Sequence, residues 1–128
     1  MGQGQLSKLA EEYPGIAAMV KDQVGIPAND ILAAIDDLGD LTTDIKPDTA
    51  NVVAAIITSM NGGKEVVSGP MLYVTLTTTG WGKRSKVILT TLLKGSTKEA
   101  QSSSLSAIQG LVSTLQPVAE ATIAQKKA

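Results

Sequence analysis

Cysteine, histidine and phenylalanine are missing from this chain of 128 residues, and its aromatic side chains are Tyr13, Tyr73 and Trp81. Without cysteine there can be no disulfide, thiolate nucleophile or cysteine-ligated zinc site. Without histidine there is no imidazole base, Ser-His triad or histidine-ligated metal. So few aromatic rings leave little surface on which a nucleobase, flavin or sugar could stack. We therefore expect a protein that is not an enzyme and that uses no cofactor and no metal.

What the chain does contain is aliphatic: 43% of its residues are hydrophobic, and its length fits one domain, residues 1–128. Its apolar runs are far shorter than the roughly 20 residues that span a bilayer, so we expect no membrane insertion. Residues 1–7 lack the charged segment and apolar stretch of a signal peptide, which favours a cytoplasmic protein. No pattern indicates a small-molecule substrate.

Residues 1–63 are predicted to form the acidic, helical half of an α+β domain. Apolar residues recur there at helical spacing in four short segments that end at glycine or proline. In the third segment, Asn29 is predicted to cap a helix that ends at Gly39. The fourth begins at Pro47, which suits a first helical turn because proline lacks an N–H.

Residues 64–95 are predicted to form a long antiparallel β-hairpin. Segments 71–79 and 84–93 are rich in β-branched residues, and residues 80–83, Gly-Trp-Gly-Lys, are typical of a turn. Residues 64–67 could add a third strand. Both faces of the hairpin are substantially apolar, so we expect both to be covered, by the C-terminal helix or by another subunit. For residues 84–93 the pattern alone does not separate strand from helix.

Residues 96–128 are predicted to form a C-terminal helix. Ser96 and Glu99 have the spacing of a capping box, and apolar residues follow at alternating spacings of three and four. Pro117 lacks an N–H, and its ring crowds the carbonyl of Ser113. We therefore expect this helix to be kinked or split at Pro117.

Two incomplete motifs exclude familiar binding sites. Six aspartates lie between Asp30 and Asp48, but the twelfth position counted from Asp40 is Asn51, where a calcium loop needs glutamate. The segment Asn61-Gly62-Gly63-Lys64 is followed by Glu65, at the position where a phosphate loop needs serine or threonine. The aspartates are better explained as helix starts and a solvated acidic face.

The segment with the most specific composition is the turn between the two predicted strands. It places the single tryptophan, Trp81, beside the cations Lys83, Arg84 and Lys86. One interpretation is a projecting tip that docks on a protein partner or on nucleic acid, where rings stack and cations meet phosphates. The alternative is a tryptophan folded back on its own hairpin beside solvated cations. Both interpretations stay open.

Charge is distributed unevenly along the chain. Residues 1–60 carry nine acids and three bases, a net charge of −6, whereas residues 61–128 carry three acids and eight bases, a net charge of +5. Chains with such halves can associate end to end. The charge split and the lack of chemistry favour a non-enzymatic structural protein that self-associates, in its concrete version a virion or particle component.

The alternative function is a nucleic-acid-binding module. Helices followed by a basic-tipped hairpin resemble the layout of a winged-helix domain, with the C-terminal helix as a dimer contact. The helix that would read the groove, residues 47–60, is mostly Val, Ala and Ile and carries Asp48. Groove readers need Arg, Lys, Asn or Gln, so self-association is the preferred prediction.

Overall fold

The computed structural model describes residues 2–22, 24–78, 80–94 and 98–127, and within these ranges every regular element is an α-helix. In chain order the helices are α1 (Gly2–Glu12), α2 (Pro14–Lys21), α3 (Ala28–Gly39), α4 (Pro47–Met60), α5 (Gly69–Thr78), α6 (Gly82–Lys94) and α7 (Lys98–Lys127). The protein therefore has an all-α fold.

The predicted β-hairpin of residues 64–95, and with it the α+β fold class, is wrong. In the described part of that segment, α5 and α6 replace the two strands, and Gly80 and Trp81 separate them where a turn was expected. The buried positions of α6 recur at spacings of three, one, three, three and one, which is helical. These positions are Gly82, Ser85, Lys86, Leu89, Leu92 and Leu93. Two of the six, Ser85 and Lys86, are polar. The helical spacing of the buried positions was therefore not visible as a spacing of apolar residues in the sequence.

The β-branched threonines of this segment are accommodated in the helices by their own hydroxyl groups. The Thr77 hydroxyl donates to the carbonyl of Tyr73 at 2.8 Å, and the Thr90 hydroxyl donates to that of Lys86 at 2.6 Å. A threonine in a helix can bond the carbonyl one turn back in this way. The many threonines of residues 64–95 are therefore compatible with helices, although they had favoured the prediction of strands.

The four helices predicted in the first half of the chain are present. Helix α4 begins at Pro47 as expected. Helix α3 begins at Ala28 with Pro27 at its N-cap, so the prediction of Asn29 as the cap is wrong. The helix starts two residues earlier than predicted because the carbonyl of Pro27 accepts the first helical bonds, from the N–H groups of Asp30 and Ile31.

Helix α7 has 30 residues and is about 45 Å long. It continues through Pro117, so the proline does not split it, and the expected kink at Pro117 stays a prediction. Only one intrahelical bond is lost at a proline, and the turns on either side can hold the helix together. The predicted cap, Ser96, lies outside the described residues.

The core forms around α4, which packs against α2, α3 and α5, while α7 packs against α5 and α6. The backbones of α4 and α5 approach each other closely at Gly69, because a Cβ atom added there would lie 2.8 Å from the Cα of Asn51. The fully buried apolar side chains include Ile16, Met19, Ile31, Ile56, Ile57, Leu72, Leu89 and Leu92. Within the described ranges, no helix is both long and apolar enough to cross a membrane.

Candidate functional site

Trp81 lies in the short link between α5 and α6 and is half-buried against the core. Both polar groups of its backbone are hydrogen-bonded. The Trp81 N–H donates to the carbonyl of Leu76 at 2.9 Å, and the Trp81 carbonyl accepts from the N–H of Ser85 at 2.5 Å. The structure therefore places the ring against the core, and the hairpin tip that would have projected it is not formed.

Lys86 lies inside the protein, with no exposed surface. Its ammonium is 3.0 Å from the carboxylate of Asp37 and donates to the carbonyl of Asp40 at 2.6 Å and to the hydroxyl of Thr43 at 3.1 Å. All three ammonium protons have acceptors, so the group is fully bonded. The predicted role of Lys86 as a partner contact does not fit this position.

Asp37 is the acceptor that joins three helices at this point. Besides Lys86 of α6, its carboxylate accepts the backbone N–H of Lys46, the N-cap of α4, at 3.0 Å. Burial raises the pKa of Asp37, but hydrogen bonds from Lys46, Thr49 and Lys86, with the charge of Lys86, hold the pKa below its usual value. The sequence did not single out this residue, because one aspartate among the six between Asp30 and Asp48 gives no sign of its burial.

The other two predicted contact residues, Lys83 and Arg84, are exposed on α6. They share a helix face with Val87, whose side chain is 51% exposed. No acidic residue occurs in the α6 sequence. The structure thus brings together an exposed valine and two cations, a surface we call the α6 edge.

Acidic groups do approach one end of the α6 edge. A Cβ atom added at Gly82 would lie 2.8 Å from the Asp44 carboxylate, so this acid lies against the first turn of α6. The nearby Asp40 carboxylate accepts the hydroxyl and N–H of Thr42, which lower its pKa. The acidic and basic halves of the sequence therefore intermix here. Among the described side chains, no three potential metal ligands are grouped closely enough to hold an ion.

The outward face of α7 is built from small, uncharged residues. Residues 100–119 contain no charged side chain. Ile108 and Val112 bury one face of the helix, and the exposed positions on the opposite face are Ser106, Gly110, Ser113 and Pro117. Apart from the neighbouring backbone of α7 itself, no atom that the structure describes lies within 4 Å of a Cβ atom added at Gly110. We call these four positions the α7 outer face.

A cleft of about 470 Å³ lies between the first halves of α3 and α4. Its apolar lining comes from Ile26, Pro27, Ala33, Ala34 and Val52. Two exposed carboxylates, Asp30 and Asp48, also border it, together with Lys46. The cleft therefore combines an apolar lining with more negative than positive charge.

Comparisons of this chain with protein-family models, with curated proteins and with solved structures find no match. Its function must therefore be inferred from its own surfaces.

Proposed function

We propose that this protein is a non-enzymatic structural component that self-associates through the α7 outer face, as a building block of a virion or another protein particle. The observation that carries the proposal is Gly110. This glycine is exposed in the middle of a 30-residue helix, and no atom of the described chain lies close to the space its missing side chain leaves.

A glycine in a helix interior costs about 1 kcal/mol relative to alanine. No close contact with another described residue explains why glycine occupies position 110, because an added Cβ would meet open space there. A second helix that packs closely against this face would account for it, since small side chains reduce the distance between packed helices. The neighbouring Ser106 and Ser113 are also small and exposed.

The uncharged middle of α7 favours another copy of the same helix as the partner. Residues 100–119 contain no charged side chain that would have to be buried where two copies meet. The centre of Lys98–Lys127 falls between residues 112 and 113, so antiparallel pairing about that point sets residues 106–119 of one copy, which are uncharged, against the same residues of the other. Such a pair has two-fold symmetry and uses the same surface on both copies.

The proposal is tested by replacing Gly110 with glutamine and measuring mass by size-exclusion chromatography with light scattering. Glutamine is a good helix former, so the folded monomer should keep its helix content while the longer side chain blocks close packing. Gly39→Gln is the matched control, because Gly39 is also helical, exposed and open.

We expect the wild-type protein and Gly39→Gln to have masses above 13.2 kDa, and Gly110→Gln to move toward 13.2 kDa. A wild-type mass of 13.2 kDa at every concentration would contradict the proposal. Equal masses above 13.2 kDa for all three proteins would mean that self-association does not use the α7 outer face.

A second candidate function, nucleic-acid binding, is favoured by the two exposed cations at the start of α6. Lys83 and Arg84 lie in its first turn, where the helix dipole also attracts phosphate. The winged-helix layout does not apply, because the described residues contain no hairpin to form a wing. Binding that weakens steeply with salt, with a smaller slope for Lys83→Ala/Arg84→Ala, would support this candidate. No retention of nucleic acid at low salt would exclude it.

A further inference from the structure

We propose that the cleft between α3 and α4 is a docking site for the α6 edge of a second copy of this chain. The inference rests on the proposed self-association but concerns a second contact, made by surfaces other than the α7 outer face. The group that would occupy the cleft is an exposed valine with two cations beside it, namely Val87 with Lys83 and Arg84.

The lining of the cleft matches that occupant. Apolar side chains from α3, α4 and the link before α3 form much of its surface. Asp30 and Asp48 supply two carboxylates, one from the first turn of each helix. The cleft can therefore receive one apolar side chain with two cations beside it, at the cost of desolvating Lys46 at its border.

The α6 edge has the complementary arrangement. Residues 83, 84 and 87 are related by helical spacings of three and four, so they share one face of α6. Val87 is among the most exposed large apolar side chains of the protein, at 51%. The long stems of Lys83 and Arg84 add apolar surface beneath their charges.

Neither set of charges forms an ion pair with another described residue of the chain. Among the residues that the structure describes, the one ion pair is Lys86 with Asp37. The carboxylates of Asp30 and Asp48 and the cations of the α6 edge therefore remain available to a partner. Opposite charges on such surfaces accelerate encounter and fix the register of a contact.

A contact between the cleft of one copy and the α6 edge of another joins two different surfaces. Such a heterologous contact repeats from copy to copy and forms a ring or a filament. In combination with a two-fold α7 pair, it would extend the assembly beyond a dimer, as a particle requires.

Complementary charge reversal tests this docking directly. Lys83→Glu/Arg84→Glu gives a copy whose α6 edge and cleft are both acidic, whereas Asp30→Lys/Asp48→Lys gives a copy whose α6 edge and cleft are both basic, so neither variant can dock on itself. Both are made in the Gly110→Gln background, which eliminates the α7 contact. The two variants are studied separately and mixed, by sedimentation velocity in a buffer of low ionic strength, because the contact is screened by salt.

We expect the mixture to form pairs of unlike variants, with a dissociation constant at least about tenfold lower than that for self-association of either variant alone. These pairs can extend in alternation, because both combinations of cleft and α6 edge are then complementary in charge. Circular dichroism checks that each variant keeps its helices. Lysine in the first turns of α3 and α4 opposes the helix dipoles. If that variant unfolds, Asp30→Asn/Asp48→Asn replaces it, and its self-association in the Gly110→Gln background should be weaker than that of Gly110→Gln alone.

Absence of a pair in the mixture, when wild-type protein does associate, overturns the docking and leaves the proposed function standing. Wild-type protein that remains at 13.2 kDa overturns the proposed function itself. If the α6 edge instead binds nucleic acid, Lys83→Glu/Arg84→Glu loses retention of nucleic acid and no pair forms, which also overturns the docking.

Discussion

The ammonium of Lys86 lies 3.0 Å from the carboxylate of Asp37, with both side chains withdrawn from solvent. This ion pair joins α6 to α3 across 49 positions of the chain. Because Asp37 also accepts the N–H of Lys46, the same carboxylate holds the start of α4. The arrangement of the three helices thus depends on one buried charge network, and several of its consequences are measurable.

Removing the cation of this pair should destabilise the protein strongly. Lys86→Met keeps the length of the apolar stem but leaves the Asp37 carboxylate buried without its counter-charge. Loss of one partner from a buried pair costs about 3–5 kcal/mol. The free energy of unfolding, measured with urea, should fall by that amount.

The double variant Asp37→Asn/Lys86→Met provides the control. Asparagine can still accept the Lys46 N–H and carries no charge, so the double variant should be more stable than Lys86→Met alone. A Lys86→Met protein as stable as wild type would mean that the ammonium is not buried against Asp37.

Stability should decrease in acid because of Asp37. The bonds to this carboxylate hold its pKa below the value of about 3.9 that an aspartate has in an unfolded chain. Its contribution is therefore fully present above pH of about 4 and is lost as the pH falls through the folded-state pKa. Urea unfolding as a function of pH should show a smaller acid-induced loss for Asp37→Asn.

The matched control for the pH measurement is Asp40→Asn. The pKa of Asp40 is also lowered, by its bonds from Thr42, but its side chain is exposed and its charge is screened by water. We expect Asp40→Asn to change the pH dependence less than Asp37→Asn. The reverse order would argue against a buried network at Asp37.

Trp81 should behave as a packing residue. Its ring is half-buried against the core, so Trp81→Ala should lower the free energy of unfolding by about 2 kcal/mol, less than for a fully buried ring. Trp81→Phe should retain most of the stability because it keeps an aromatic ring in place. Unfolding curves from circular dichroism check both variants. A Trp81→Ala protein with unchanged stability would indicate a ring that is free in solution.

Gly69 should tolerate no side chain, since a Cβ atom there would lie 2.8 Å from the backbone Cα of Asn51. Rotating the asparagine side chain cannot relieve that contact. Gly69→Ala should therefore cost about 1–3 kcal/mol through displacement of α5 from α4. At Gly39, where an added Cβ meets open space, alanine should leave stability unchanged or raise it by up to about 1 kcal/mol. Denaturant unfolding of the two variants separates close packing from helix propensity.

Sequence patterns predicted the helices best where buried positions and apolar residues coincide. In α3 the buried Ile31, Ala34 and Leu38 follow helical spacing, and Gly39 ends the helix as expected. In α6 the same spacing is present, but Ser85 and Lys86 occupy two of the buried positions. Only the tertiary structure provides the acceptors that make burial of a lysine possible, so neither the helix nor the site could be predicted from periodicity.

The remaining errors have local causes of the same kind. Threonines that favour strands in isolation bond the preceding helical turn here, as Thr90 does with Lys86. The turn at Gly80 was found because a positive φ, 72° at this residue, favours glycine whatever elements it joins. Glycine therefore marked the position of the link, while the type of the flanking elements depended on packing.

The most direct test of self-association through the α7 outer face exploits the absence of native cysteine. Ser113→Cys places a single thiol beside the expected two-fold axis, where two closely packed helices bring equivalent positions within disulfide distance. Thr91→Cys, exposed on α6, is the control. Under mild oxidation we predict that Ser113→Cys forms a covalent dimer much faster than Thr91→Cys does. Equal and slow cross-linking of the two variants would contradict the account.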